Sequence, residues 1–177
     1  MLDEKRVLTL EDFGAGSSVN MTNQRNVAEV AKKSAKPPKF GKLLFRMVRA
    51  YQPKCILELG TSLGITTSYL CLAKPAATII TMEGAGEVAA VAKANFAALQ
   101  LPHCSLIEGN FDQTLPGVLG SLSVLDFAFI DGNHRQEPTE RYFNQLLAKT
   151  QNDSVLVFDD IHWSREMEQA WDSIKNH

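Results

Sequence analysis

From Lys54 onward the chain alternates five short apolar runs with five helix-length amphipathic stretches, and that alternation admits few folds. The apolar runs are Cys55–Leu59, Thr78–Met82, Ser105–Glu108, Leu125–Ile130 and Val155–Phe158, each near the usual strand length of about five residues. They are almost continuously apolar, as strands covered by helices on both faces must be; a strand with one wet face would alternate. Between them lie Ile65–Ala73, Glu87–Leu99, Asp112–Leu119, Glu137–Lys149 and Ser164–Lys175. In the second of these, Val88, Ala89, Ala92, Phe96 and Leu99 recur at helical spacing, which turns them to the core and leaves Lys93 and Asn95 for water. The pattern predicts an α/β fold, a doubly wound, Rossmann-like, mostly parallel sheet with its strands in the spatial order 3-2-1-4-5.

With 177 residues, 45% of them hydrophobic, the chain is sized for one domain, expected to span residues 25–177. Ahead of the sheet, Val27–Ser34 and Phe40–Tyr51 read as helices separated by Pro37-Pro38, which cannot continue the first but can open the second; they form a helical extension over residues 25–52. Residues 1–24 read as a flexible segment, and the run Asp12-Phe13-Gly14-Ala15-Gly16-Ser17-Ser18 within it suits either a lid or an ordinary mobile terminus. No run approaches the roughly 18 apolar residues of a membrane span, and the N-terminus does not read as a signal peptide. A cytoplasmic protein is expected. Cys55, Cys71 and Cys104 lack metal-site spacing and read as reduced thiols.

The net charge of −2 is unevenly spread. Arg25, Lys32, Lys33, Lys36, Lys39, Lys42, Arg46, Arg49 and Lys54 crowd residues 25–54 against a single acid, Glu29. Such a cluster would suit an acidic substrate, nucleic acid, or simply a solvated helix face. Only Phe40, Phe45 and Tyr51 interleave with it, few for the stacking platform that bases require, so nucleic acid is argued against and the solvated face preferred.

In a doubly wound sheet ligands bind beyond the carboxyl ends of the strands. The first strand ends Glu58-Leu59-Gly60-Thr61-Ser62-Leu63-Gly64. Glycines at 60 and 64 let the backbone approach a ligand, and the free amides of the following helix can hydrogen-bond it. A dinucleotide turn is G-x-G-x-x-G. This one lacks the middle glycine and places a carboxylate two residues before the first, which suits a cationic ligand and repels a pyrophosphate. S-adenosylmethionine, with an ammonium and a sulfonium, has the required charge.

The turn resembles motif I of class I S-adenosylmethionine-dependent methyltransferases, in particular the catechol, caffeoyl-CoA and macrocin-type O-methyltransferases, over roughly residues 40–175. The resemblance implies a cofactor site made of Glu58, Gly60, Thr61, Ser62 and Gly64. It implies that Glu83, at the end of the second strand, accepts the ribose hydroxyls beside Gly84. It implies that the turn Glu108-Gly109-Asn110-Phe111-Asp112 meets the adenine, with Asn110 or Asp112 at its edge and Phe111 stacked; for Phe111 a core role is the competing reading.

Three acids, Asp131, Asp159 and Asp160, close the fourth and fifth strands, and like charges at adjacent strand ends repel unless paired, protonated or bound to a cation. In the catechol-type relatives the matching positions bind magnesium, so the resemblance implies Mg²⁺ on Asp131, Asp159 and Asp160, oxygen donors of the kind that ion takes. The simpler alternatives are that Asp131 binds the cofactor, Asp159 caps a turn and Asp160 is solvated. His134 and His162 follow the acids within three residues and are candidate general bases, with Asp131, or extra ligands. The lysine arrangement of the catechol enzymes is not evident here. Phe40, Phe45 and Trp163 would line an acceptor pocket or pack in the core.

The activity implied is methyl transfer to an oxygen of a small-molecule acceptor. A nicotinamide-dependent oxidoreductase on the same architecture and a non-catalytic S-adenosylmethionine-binding module or fragment are the alternatives. The second is kept open by the C-terminus, because class I methyltransferases continue into an antiparallel strand pair whereas this sequence stops at His177. The fifth strand would then be an exposed edge, a route to self-association and a homodimer.

Overall fold

The computed structural model describes residues 4–9, 24–34 and 37–177, and side chains outside positions 33 and 34. The run at residues 12–18, read as either a lid or a mobile terminus, lies outside them. Two three-residue strands, β1 (Val7–Thr9) and β2 (Gln24–Asn26), pair antiparallel and lead into α1 (Val27–Ser34) and α2 (Pro38–Tyr51). Neither strand was expected, since three residues such as Gln-Arg-Asn carry no readable periodicity. Then follow β3 (Cys55–Leu59), α3 (Ile65–Ala73), β4 (Thr78–Glu83), α4 (Gly86–Ala98), β5 (Cys104–Glu108), α5 (Phe111–Ser121), β6 (Phe127–Ile130), α6 (Gln136–Leu147), β7 (Val155–Phe158) and α7 (Arg165–Lys175).

The main sheet is wholly parallel in the order β5-β4-β3-β6-β7, which is the expected 3-2-1-4-5. Successive strand residues point to opposite faces and so build two cores. Ile56, Ile79, Phe127 and Phe129 meet Leu44 and Val48 of α2, Leu70 and Cys71 of α3, and Phe96 of α4. Leu57, Leu59, Met82 and Ile130 meet Leu115 and Leu119 of α5 and Tyr142 and Leu146 of α6. β3 is buried at every position, as a central strand covered on both sides should be, whereas β7 at the sheet edge is half-buried throughout.

Several element boundaries differ from expectation by one or two residues. Leu125 and Asp126 precede β6; the Asp126 amide donates to the Cys55 carbonyl at 3.2 Å, and its carboxylate accepts the amides of Lys54 and Cys55 at 2.8 Å each. Leu99 is exposed, since α4 ends at Ala98, and Asn95 is half-buried, its amide donating to the Leu63 carbonyl at 2.8 Å. α5 starts at Phe111, and Pro116 does not stop it from running to Ser121. Among the described residues, no helix is long and apolar enough to cross a membrane.

Candidate active site

Register decides which residues meet. Leu59 pairs with Met82 on one side and Ile130 on the other, Glu83 pairs with Glu108, and Ile130 pairs with Phe158. The residues just beyond these strand ends therefore share one edge of the sheet, where a doubly wound fold opens its crevice. Gly60, Thr61, Ser62, Leu63, Ile65, Thr66 and Asp131 line a cleft there.

The turn after β3 is held tightly. The amides of Gly60 and Thr61 both donate to the Met82 carbonyl at 3.0 Å. Gly60 has φ 101°, and a Cβ there would meet the Asp131 carbonyl oxygen at 2.1 Å; Gly64 has φ 77°, with Phe96 filling the space a side chain would need. Glycine is required at both for conformation and for room. Glu83 stands beside the turn, half-buried, its Oε2 accepting the Ser62 amide at 2.8 Å and its Oε1 the Ala85 amide at 3.0 Å. Burial raises its pKa, against the lowering effect of these amides. Gly84 lies in the bend between Glu83 and α4.

Glu58 does not reach the edge. It is fully buried within β3, with Oε2 accepting the hydroxyls of Thr67 and Thr81 and Oε1 lacking a hydrogen-bond partner. Burial pushes its carboxyl up to about 8, with Asp131 and Glu83 adding to the rise and the two threonines opposing it.

Asn110 caps α5, its side chain accepting the Asp112 amide at 2.9 Å, and Phe111 packs edge-on against Tyr142 with centroids 6.0 Å apart. Asp112 accepts from the Tyr142 hydroxyl and from Arg141, each at 2.7 Å. Burial alone would raise the Asp112 pKa, but these two bonds outweigh it and hold the carboxyl below its ordinary value. Arg141 and Tyr142 escaped the sequence reading because nothing in a helical Arg-Tyr pair announces a partner 29 or 30 residues earlier.

Beyond β6 and β7, one ligand atom each from Asp131, His134 and Asp160 lie within 4.8 Å of one another. His134 Nε2 is 3.7 Å from Asp131 Oδ1 and 3.8 Å from Asp160 Oδ2. The chain turns sharply to bring them together, with positive φ at Asn133 (70°), His134 (46°) and Asp160 (52°). The expected trio of acids is thus arranged differently: Asp159 is outside this group, and its Oδ1 accepts the Asp160 amide at 2.8 Å. The two histidines also separate. His162 is exposed with Nδ1 3.4 Å from Glu168, because the left-handed turn at Asp160 carries the chain away from the cleft. Trp163 stands near His134, the ring centroids 6.5 Å apart, while Phe45 packs against the core and Phe40 is exposed on α2.

The parallel sheet, the glycine turn and the carboxylates at one edge define a class I methyltransferase architecture. The methyltransferase-domain family matches residues 57–161, more than half of the chain, and the protein belongs to that family. No curated protein matches it. Among solved structures it is similar to an O-methyltransferase from Bacillus cereus in complex with SAH (TM-score 0.74, 20% identity, covering 84% of this chain and 78% of that one). It is similar also to the O-methyltransferase TomG from Streptomyces achromogenes, involved in tomaymycin synthesis and solved with SAM (0.71, 21%, 85% and 76%). A third is the precorrin-6y C5,15-methyltransferase from Geobacter metallireducens (0.70, 15%, 83% and 75%). The oxidoreductase alternative falls with the family assignment.

Proposed function

We propose that this protein transfers the methyl group of S-adenosylmethionine to an oxygen of a small-molecule acceptor. The observation that carries the reading is the placement of Glu83 against the Gly60–Gly64 turn, across β3 from the Asp131–His134–Asp160 group at the same sheet edge. Glu83 would take the ribose hydroxyls, since a carboxylate oxygen holding one amide still has a lone pair for another donor. The turn supplies amides and close backbone approach, and the acids around it suit the cofactor's positive charge.

In the transfer, an acceptor oxygen attacks the methyl carbon as the carbon–sulfur bond breaks, leaving S-adenosylhomocysteine. The proton of the acceptor hydroxyl goes to His134 Nε2, and Asp131 and Asp160 stabilise the imidazolium that forms. Holding oxygen, methyl and sulfur in line supplies much of the acceleration, up to about 7–11 kcal/mol in favourable cases. The same carboxylates suit a divalent cation: two oxygen donors from different strand ends converge near one point, which hard cations favour. Asp131 and Asp160 would hold it, with Asp159 orienting Asp160 through its amide. When bound, such an ion lowers the pKa of the acceptor hydroxyl and orients it. Fold alone does not name the acceptor, and TomG and the precorrin enzyme share this architecture under names that imply different chemistry.

Isothermal titration with S-adenosylhomocysteine tests the cofactor. Binding by the wild type and a loss of roughly ten-fold or more in Glu83→Ala are expected, the usual cost of removing a charged hydrogen-bond acceptor. A wild type that binds none overturns the reading. A radiolabel transfer screen over phenolic, catecholic and sugar acceptors, with EDTA or added Mg²⁺, then identifies the acceptor and the need for metal.

A further inference from the structure

The turn is also fastened to the core by side chains that the transfer itself does not use. Glu58 is the one polar residue of β3 and is fully buried. Its Oε2 accepts from Thr67, in the first turn of α3, and from Thr81 of β4 at 2.6 Å. Thr81 Oγ1 is also 2.6 Å from Thr61 Oγ1, in the turn itself. A hydroxyl has one proton. Thr81 gives its proton to Glu58, so Thr61 must donate to Thr81, and the chain runs in one direction: Thr61 to Thr81 to Glu58, with Thr67 converging from the helix. This direction survives protonation of Glu58, because a proton on the partnerless Oε1 leaves Oε2 an acceptor for both threonines.

A core built only for packing would not look like this. Valine has nearly the volume of threonine and needs no partner, whereas a buried acid with an unpartnered oxygen lowers stability. Burial does push the Glu58 carboxyl up to about 8, so the fold carries this group at a cost. The polar chain joins three elements, β3, β4 and the start of α3, at the point where Thr61 lines the cleft. Bonds ordered head to tail polarise one another, which makes such a chain stiffer than isolated pairs.

We propose that Thr81 is a positioning residue for the cofactor turn, acting on Thr61 through the directed hydroxyl chain that ends on Glu58. The proposal rests on the reading of Gly60–Gly64 as the S-adenosylmethionine site. Its effect belongs to cofactor affinity, because the chain touches neither the acceptor side nor His134.

The test is a double-mutant cycle on S-adenosylhomocysteine affinity, using Thr61→Val, Thr81→Val and the double variant in the full chain, with kcat measured at saturating cofactor. Thr81→Val should weaken binding roughly ten-fold, as when a buried acceptor loses its donor, while kcat stays within about two-fold. Thr81→Ser, which keeps the hydroxyl, should restore binding. The double variant should bind no worse than either single one, because both cut the same chain. Losses that multiply in the double variant overturn the proposal, as does wild-type affinity in Thr81→Val. Should Thr81→Val not fold, Thr61→Val decides alone: it leaves Glu58 both donors, and undiminished affinity there sinks the chain. A wild type that fails to bind S-adenosylhomocysteine sinks the functional reading first, which separates that failure from multiplying losses in a protein that binds.

Discussion

At Gly60 the φ of 101° and the Asp131 carbonyl that a Cβ would meet at 2.1 Å leave room for glycine alone. Gly60→Ala should cost more than about 2 kcal/mol, because both the dihedral and a backbone contact must give, and S-adenosylhomocysteine binding should go with it. Urea unfolding beside calorimetry would check both. Glu58 makes a different kind of prediction. Its folded pKa, about 8, stands above the ordinary 4.5, so the native state holds the proton more tightly than the unfolded one. That contribution to stability is complete below about pH 4.5 and is lost as pH rises through about 8. Glu58→Gln keeps the neutral form at every pH, so the wild type should lose thermal stability relative to it across that window. A difference that stays flat would show that Glu58 is ionised throughout. These two residues also mark what sequence can convey about the site. That Gly60, Gly64, Glu83, Asp131 and Asp160 fall at one sheet edge was legible from their positions at or after strand ends, whereas the burial of Glu58 and the separation of Asp159 were not. Thr67 and Thr81 were not, since threonine in a strand or helix reads as a β-branched filler until the register sets it against Glu58.

Among the elements, the five core strands and their helices were readable because burial on both faces writes itself as unbroken apolar runs. β1 and β2 were not, being short and polar, and their pairing depends on chain far apart in sequence. Ends were harder than middles. Asp126 looks like a strand residue that happens to be charged, yet its carboxylate ties down the amides of Lys54 and Cys55 at the start of β3. His162 looked equivalent to His134 because each follows an acid, and only the φ of 52° at Asp160 sends it outward. Helix ends yield a prediction as well. Asn110 accepts the Asp112 amide and so caps α5, the helix whose Phe111 packs edge-on against Tyr142. Asn110→Ala should lower stability by about 1 kcal/mol, and Asn110→Asp should retain most of it. Denaturant midpoints of the two variants would distinguish a capping role from a purely ligand-directed one, in which Asn110→Ala would leave stability unchanged.

For the molecule as a whole, the left-handed residues Asn133, His134 and Asp160 stand where two strand ends must converge. Each such residue costs on the order of 1–3 kcal/mol unless it is glycine or is compensated, and a domain has only about 5–15 kcal/mol in total. Asp160→Gly removes both an unfavourable φ and a carboxylate from a crowded group. In metal-free protein it should raise stability by about 1 kcal/mol, or about 2–4 °C in Tm for a chain of this size, while transfer to any acceptor falls sharply. Scanning calorimetry with a turnover assay on the same sample would check the opposed signs. If both signs are found, heat tolerance and catalysis pull this sequence in opposite directions at one corner. In a population selected for thermal survival alone, the bends beyond β6 and β7 would be the first to relax, and the catalyst would disappear long before the scaffold did.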